Sequence, residues 1–286
     1  MISNDVLATQ LSTRIRAHAL RMVHRANASH IGSCLSMADL LGALYGGILR
    51  VDPTDPQWPD RDRFILSKGH GAAIVYAVLA ERGFFPVDWL ETYCQDGSLL
   101  TGHLTQGVPG VELSTGSLGH GLPVGCGIAL VGKREARPYR VFVMLSDGEL
   151  DEGSNWEAAL FAPQHNLDNL VVMVDYNKIQ SFGSTTDVLN LDPLGDKWRA
   201  FNWSVREIDG HDPRQIDDAL KAVPFEPGKP SVVIAHTVKG KGVAFMEDRL
   251  AWHYKSPSDQ QLAEALAGLG VTQEMESGAV GGPDEK

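Results

Sequence analysis

The chain has 286 residues, a formal net charge of −11, and 43% hydrophobic against 21% charged residues. That balance describes a globular protein with ample material for a core, and it excludes a general nucleic-acid binder, because phosphate backbones demand clustered Lys and Arg. It leaves room for a small phosphorylated ligand, which a metal ion and backbone N–H groups can hold.

Along the chain, Leu7, Leu11, Ile15, Leu20 and Val23 fall near helical spacing and predict a helix over residues 5–26. "SMAD" at 36–39 has the form of a capping box that opens the apolar "LLGALYGGIL". The Pro- and Asp-rich "VDPTDPQWPDRD" is a loop. "RFILS" reads as a strand, "KGHG" as a turn and "AAIVYAVLAERG" as a helix that stops at Gly83. Residues 111–121, "VELSTGSLGHG", form a Gly-rich loop before the helix "LPVGCGIALVGKRE". "YRVFVML" (139–145) and "NLVVMVDY" (169–176) are continuous apolar runs, the mark of strands buried on both faces of a parallel sheet. Between them "SNWEAALFAPQHN" reads as a helix, with Ser154 and Glu157 at capping-box spacing and Pro163 interrupting or ending it. "SVVIAHT" (231–237) is a further strand. Lys239 and Lys241, in "VKGKG", read as a solvated loop. "SDQQLAEALAGLG" (258–270) is a last helix.

No repeat and no composition shift marks a boundary. The expected architecture is one α/β domain over residues 1–270, a doubly wound, mostly parallel sheet with helices on both faces, followed by a disordered tail over 271–286. Cys34, Cys94 and Cys126 are widely spaced and form no CxxC pair, so neither a zinc ribbon nor a disulfide scaffold is implied, and a reducing compartment is. The first twenty residues lack a signal-peptide core, and no run reaches membrane-spanning length. A cytoplasmic protein without a membrane partner is expected.

One stretch raises a question. "SDGELDEG" (146–153) ends an apolar strand with an aspartate, a glycine and three further carboxylates. In an open parallel sheet the C-terminal strand ends line the ligand crevice. Asp147 ends one strand and Asn177, thirty positions on, ends the next. A right-handed crossover can place those strands side by side or one apart. An Asp carboxylate, an Asn side-chain oxygen and a backbone carbonyl beyond Asn177 are hard oxygen ligands. They leave about three octahedral positions for phosphate oxygens and water, which suits Mg²⁺, with Ca²⁺ or Mn²⁺ as substitutes. Gly148 would let a diphosphate approach the backbone. An Asp-Gly pair alone is a common turn; the joint pattern of strand, Asp-Gly, helix, strand and Asn carries the weight.

That pattern resembles the thiamine diphosphate signature, Gly-Asp-Gly followed by a terminal Asn. "ANASHIG", "SKGHG", "TGHL", "STGSLGHG", "SDGELDEGSNWEAALFA", "DYNKIQ" and "AWHYKSP" are similar, in order, to motifs of the transketolase family's diphosphate-binding domain. The resemblance runs from about residue 10 to residue 265 and implies a role for each matched position. Asp147 and Asn177 would bind Mg²⁺ by side chain and Ile179 by its backbone oxygen. Gly148 and His70 would contact the diphosphate, and Gly116, Ser117 and Leu118 would line the thiamine. His30, His103 and His253 would face the sugar, His253 also approaching the cofactor. Glu152 and Glu157 match an acidic cluster at a subunit interface. Two positions depart from the family pattern: Ser146 replaces the first Gly of the signature, and His120 stands where many transketolases have Gln.

Nothing in the chain matches the family's second domain, which binds the aminopyrimidine and supplies the activating glutamate. The resemblance therefore implies the N-terminal subunit of a split transketolase. Such a subunit would transfer a two-carbon ketol unit from a ketose to an aldose, either of them phosphorylated or not. It would act with a C-terminal subunit in an α2β2 heterotetramer. Three rivals are weaker. The α subunit of a 2-oxo acid dehydrogenase shares the cofactor signature but does not need the histidine set His30, His70, His103 and His253. A nicotinamide-binding domain would need a Gly-rich loop after its first strand and an acidic residue that is not in place. A silent scaffold subunit would not need Asp147, Asn177 and the histidines intact.

Overall fold

A computed structural model describes residues 4–271; the expected tail over 271–286 lies, but for its first residue, outside them. Five strands form one sheet in the order β1-β2-β3-β5-β4, with every neighbouring pair parallel. The strands are β1 (Arg63–Leu66), β2 (Val141–Ser146), β3 (Leu170–Tyr176), β4 (Ser204–Asp209) and β5 (Ser231–His236). β2 and β3 are buried at every residue, as their unbroken apolar runs require. They lie side by side, with Val141 opposite Leu170 and Ser146 opposite Asp175.

Two apolar layers cover the sheet, and the two-residue period of the strands sorts side chains between them. Phe64, Leu66, Phe142, Met144, Val171, Met173 and Val233 point into one layer. There they meet α1 (Asn4–Arg25), α2 (Ile31–Ser36), α3 (Ala38–Ala43) and α4 (Ala72–Glu81), which is buried from Ala72 to Ala80. Ile65, Val143, Leu145, Val172, Val174 and Ile234 point into the other. α5 (Gly121–Arg134), α6 (Gly153–Gln164) and, beyond the short α7 (Thr185–Val188), α8 (Leu194–Ala200) close that side, with Trp198 fully buried. α9 (Pro213–Lys221) and α10 (Asp259–Gly268) return to the first layer through Ile216, Leu220 and Ala265.

Several local expectations are corrected. Neither predicted capping box forms. The hydroxyl of Ser36 donates to Ser33 O and Asp175 Oδ2, inside the protein, and that of Ser154 donates to Gly119 O. Neither serine stands at an N-cap: Ser36 is the last residue of α2, and Ser154 lies inside α6, whose N-cap is Glu152. A capping box does form at α10, between Ser258 and Gln261. Pro163 does not break α6, which runs one residue further, to Gln164. Leu7, expected on the buried stripe of α1, is exposed. β4 escapes the hydrophobic pattern, because it is an edge strand whose sequence, "SVREID", is half solvated.

One buried ion pair ties these elements together. Lys68, just after β1, donates from Nζ to Asp175 Oδ2 in β3, and both side chains are 0% exposed. Ser36 of α2 donates to the same oxygen, and Thr237, just after β5, donates to Oδ1. Burial raises the Asp175 carboxyl, but Lys68, Ser36 and Thr237 more than offset this and hold it below the usual range. Removing one member of such a pair leaves an uncompensated buried charge. Asp175→Asn is expected to lower the unfolding free energy by about 3–5 kcal/mol in urea titrations. A loss below about 1 kcal/mol would mean that Lys68 finds another partner at little cost.

Candidate functional site

A cavity of about 300 Å³ opens at the C-terminal ends of the strands. Four strand ends reach it: His70 after β1, Asp147 after β2, Asn177 after β3 and Lys239 after β5. Of the sequence-predicted residues, His30, His70, His103 and His253 line it together. So do Gly116, Leu118, Asp147, Gly148, Asn177 and Ile179. Ser117 is exposed beside its two lining neighbours. Glu152 and Glu157 lie exposed at the start of α6, outside the cavity lining.

The oxygen donors sit on one wall. Asp147, 1% exposed, accepts at Oδ1 from Gly148 N (2.8 Å) and at Oδ2 from Lys178 N. Burial, then the nearby Asp175 carboxylate, pushes its carboxyl up to about 6. Asn177 is fixed at both ends of its amide. Nδ2 donates to Asp175 Oδ2 (3.3 Å), and Oδ1 accepts from Ile179 N (3.2 Å). Gly148 has a packing reason as well as the expected ligand reason. A Cβ there would fall 2.7 Å from Gln180 Cβ, so no side chain fits.

The histidines form a second cluster in the same cavity. The His30 ring lies 4.9 Å from His70, 5.1 Å from His253 and 6.1 Å from His103, centroid to centroid. His30 caps the start of α2 in the left-handed region (φ 74°), and its N–H donates to His253 O at 2.9 Å. This backbone bond locks the "SHIG" and "AWHY" segments together across the whole chain. Burial is the first cause of the depressed imidazole pKa values. Burial with His103 and Lys239 takes His30 down to about 4, and burial with Lys239 takes His253 down to about 3. His70 lies well below 6.5, from burial and then Lys68. These three rings are neutral at pH 7, each with one N–H and one nitrogen lone pair, and at His253 the Nδ1 lone pair faces Lys239 Nζ.

Lys239 overturns the solvated-loop expectation. It is 1% exposed, and Nζ donates to Ile179 O at 2.8 Å and lies 2.9 Å from His253 Nδ1. Burial takes it down to about 8, against the pull of Asp147. The sequence does carry a signal for it, because "VKGKG" directly follows the strand "SVVIAHT", and Asp147 and Asn177 stand at strand ends in the same way. Lys241 does stay half exposed, 3.7 Å from Glu247. Ser146, the departure from the signature, is in regular strand pairing opposite Asp175, and its Oγ accepts from Glu149 N (3.3 Å). His120 is exposed, with Nδ1 at 2.9 Å from Leu118 O.

The donor set fits a divalent cation. It brings one carboxylate, one amide oxygen and one backbone carbonyl, all hard, to one wall, with room left for phosphate oxygens. No cluster of three or more His, Cys, Asp or Glu suited to a metal occurs among the described residues, so the set lacks the look of a transition-metal site.

An open parallel sheet with such a cavity at its strand ends belongs to the class of α/β proteins that bind phosphorylated cofactors. Residues 7–276 match the family described as transketolase, thiamine diphosphate binding domain. The chain belongs to that family. It is 48% identical to an apulose-4-phosphate transketolase subunit of Actinobacillus succinogenes, over 84% of this chain and 87% of that one. It is 41% identical to the 6-deoxy-6-sulfo-D-fructose transketolase subunit SqwG of a Clostridium species, over 89% and 93%. The transketolase of Leishmania mexicana superposes with a TM-score of 0.88 at 29% identity, covering 97% of this chain and 44% of that longer chain. Among the described residues no helix is long and apolar enough to cross a membrane.

The depressed His30 pKa carries a stability signature. With about 4 in the folded chain against 6.5 unfolded, its full contribution is present above pH 6.5 and is lost as pH falls towards 4. His30→Asn keeps a residue that tolerates left-handed backbone and removes that titration. Between pH 7 and pH 5 the variant's melting temperature should therefore fall less than the native chain's. Parallel melting profiles would show that His30 carries no such penalty.

Proposed function

We propose that this chain is the diphosphate- and metal-binding subunit of a split transketolase, active only with a partner subunit. The observation that carries the reading is the single cavity in which three hard oxygens, from Asp147, Asn177 and Ile179, face four imidazoles and the Lys239 ammonium. The Actinobacillus and Clostridium relatives, matched across 87% and 93% of their lengths, are both named as subunits, which supports a partner chain.

In this reading Asp147, Asn177 and the Ile179 carbonyl hold Mg²⁺. His70, the Gly148 backbone and Lys239 hold the diphosphate. Lys239 would turn from Ile179 O towards the phosphate oxygens when the cation takes that carbonyl. Gly116, Ser117 and Leu118 flank the thiamine. When bound, thiamine diphosphate supplies a carbon nucleophile for a ketose carbonyl, chemistry that no side chain provides. His30, His103 and His253 meet the sugar hydroxyls. The neutral ring of His30 can donate one hydrogen bond and accept another, and so hold or pass a proton at a hydroxyl oxygen, while His253, whose Nδ1 faces Lys239, offers its Nε2–H.

The partner supplies the aminopyrimidine pocket and its activating carboxylate, and two copies of each chain would make an α2β2 assembly. Glu152 and Glu157, exposed at the start of α6, are available to that interface. Both relatives are named for ketoses that carry an anionic group, a phosphate or a sulfonate. A ketose with an anionic terminal group is the proposed donor class.

Asp147→Ala removes the one charged ligand of the cation. It should abolish Mg²⁺-dependent thiamine diphosphate binding in calorimetry on the assembled protein while the fold persists. Near-native affinity would remove Asp147 from the metal site. The function itself is tested by reconstitution: purified chain, candidate partner, Mg²⁺, thiamine diphosphate, a ketose phosphate donor and an aldose acceptor. Ketol transfer should need both chains, and robust transfer by this chain alone would sink the split-enzyme reading. In the same assay His253→Ala should lower transfer by about 10²-fold or more with little change in melting temperature, because the lost side chain spares the His253 carbonyl that holds His30. A variant that melts early yet turns over normally when cold would make His253 structural.

A further inference from the structure

Glu149, one of the carboxylates in "SDGELDEG", has no part in the cavity lining and yet is 0% exposed. Its carboxylate meets three segments that each carry site residues. Oε1 accepts from Ser67 Oγ (2.5 Å) and from Gly119 N (2.9 Å), and Oε2 accepts from Ser146 N (3.3 Å). Ser67 directly precedes the Lys68–His70 turn, Gly119 directly follows Leu118, and Ser146 directly precedes Asp147. Ser67 Oγ also accepts from Gly121 N (3.0 Å), which extends the network to the start of α5.

The Gly-rich loop is shaped to present its amide. Gly119 lies at φ +82°, and a Cβ there would fall 2.5 Å from Ser154 Oγ and 2.6 Å from Glu152 Cβ. Glu149 is itself held at its main chain, where Asn155 Nδ2 donates to its carbonyl (2.6 Å) and its N–H donates to Ser146 Oγ (3.3 Å). A buried carboxylate surrounded by three donors from three segments is a clamp rather than a reactant, since it has no open face towards the cavity.

We propose that Glu149 is a positioning residue that locks the Gly-rich loop 116–119 in register with the Asp147 turn, so that the two walls of the cofactor cavity are preformed before anything binds. This rests on the proposed cofactor site for its consequence, but the locking itself is a property of the chain alone. Glu149→Gln keeps the shape and removes one acceptor. Whichever way the amide faces, its NH2 group meets either the Ser146 N–H or the Gly119 N–H and Ser67 hydroxyl, so one wall is released. Ser67→Ala is the milder variant, leaving the Gly119 and Ser146 bonds in place.

The test has two arms. Amide hydrogen exchange on the full chain without cofactor should rise about tenfold or more in Glu149→Gln for either the peptide covering 116–121 or the peptide covering Ser146, according to which donor the amide NH2 faces, with peptides of α4 unchanged. In the assembled enzyme, Mg²⁺–thiamine diphosphate affinity should fall about tenfold or more, with kcat at saturating cofactor within about threefold of native. Ser67→Ala should shift both readouts in the same direction by less, with exchange read over 116–119 because Gly121 N loses Ser67 Oγ directly, and it carries the test if Glu149→Gln does not fold. A folded variant with unchanged exchange both over 116–121 and at Ser146, or exchange raised equally throughout the chain, would overturn the proposal. A native assembly that binds no thiamine diphosphate would refute the cofactor reading instead, and the exchange arm would still judge the clamp.

Discussion

The site depends on the Lys68–Asp175 pair, buried without exposure at the middle of the sheet. Asp175 collects Lys68 from the end of β1, Ser36 from α2, Thr237 from the end of β5 and Asn177 from the end of its own strand. Four segments that line the cavity therefore converge on one carboxylate. A buried ion pair is weak evidence for net stability, because desolvation offsets much of the attraction. Its effect here is geometric. Each donor satisfied by Asp175 fixes a backbone segment whose next residues face the cavity.

The same charge sets the electrostatics above it. Asp175 stands close enough to Asp147 to add to burial in raising that carboxyl, and Lys68 and Lys239 add to burial in keeping the imidazoles neutral. The result is a cavity with one poised carboxylate and a cluster of neutral rings. A chain of net charge −11 thus presents a cationic side chain, Lys239, at its cavity, since a buried lysine acts locally while the surface carboxylates are screened by solvent. Net charge is no guide to this pocket.

Much of the fold was legible because its signals are local. β2 and β3 announce themselves as unbroken apolar runs, and parallel packing follows from burial on both faces. From that sheet, the strand-end rule leads to Asp147 and Asn177. β4 was hidden because an edge strand with "SVREID" has no buried run to display. The capping boxes at Ser36 and Ser154 had the right spacing, yet α3 and α6 take Met37 and Glu152 as their N-caps, and the serine hydroxyls donate to the distant Asp175 Oδ2 and Gly119 O.

By itself, the sequence determined the α/β class, the two strand ends that carry the oxygen donors, and the family to which the motif order belongs. Each of these is written in short-range pattern or in matched motifs. Only the tertiary structure decided that Lys239 is buried against Ile179 and His253, that His30 and His253 share a backbone bond across more than two hundred residues, and that Glu149 bridges three loops. Those facts turn on which partners lie across the fold. A lysine or glutamate has no local signature of burial: its surroundings become apolar, or hydrogen-bonded, only once distant segments have closed around it.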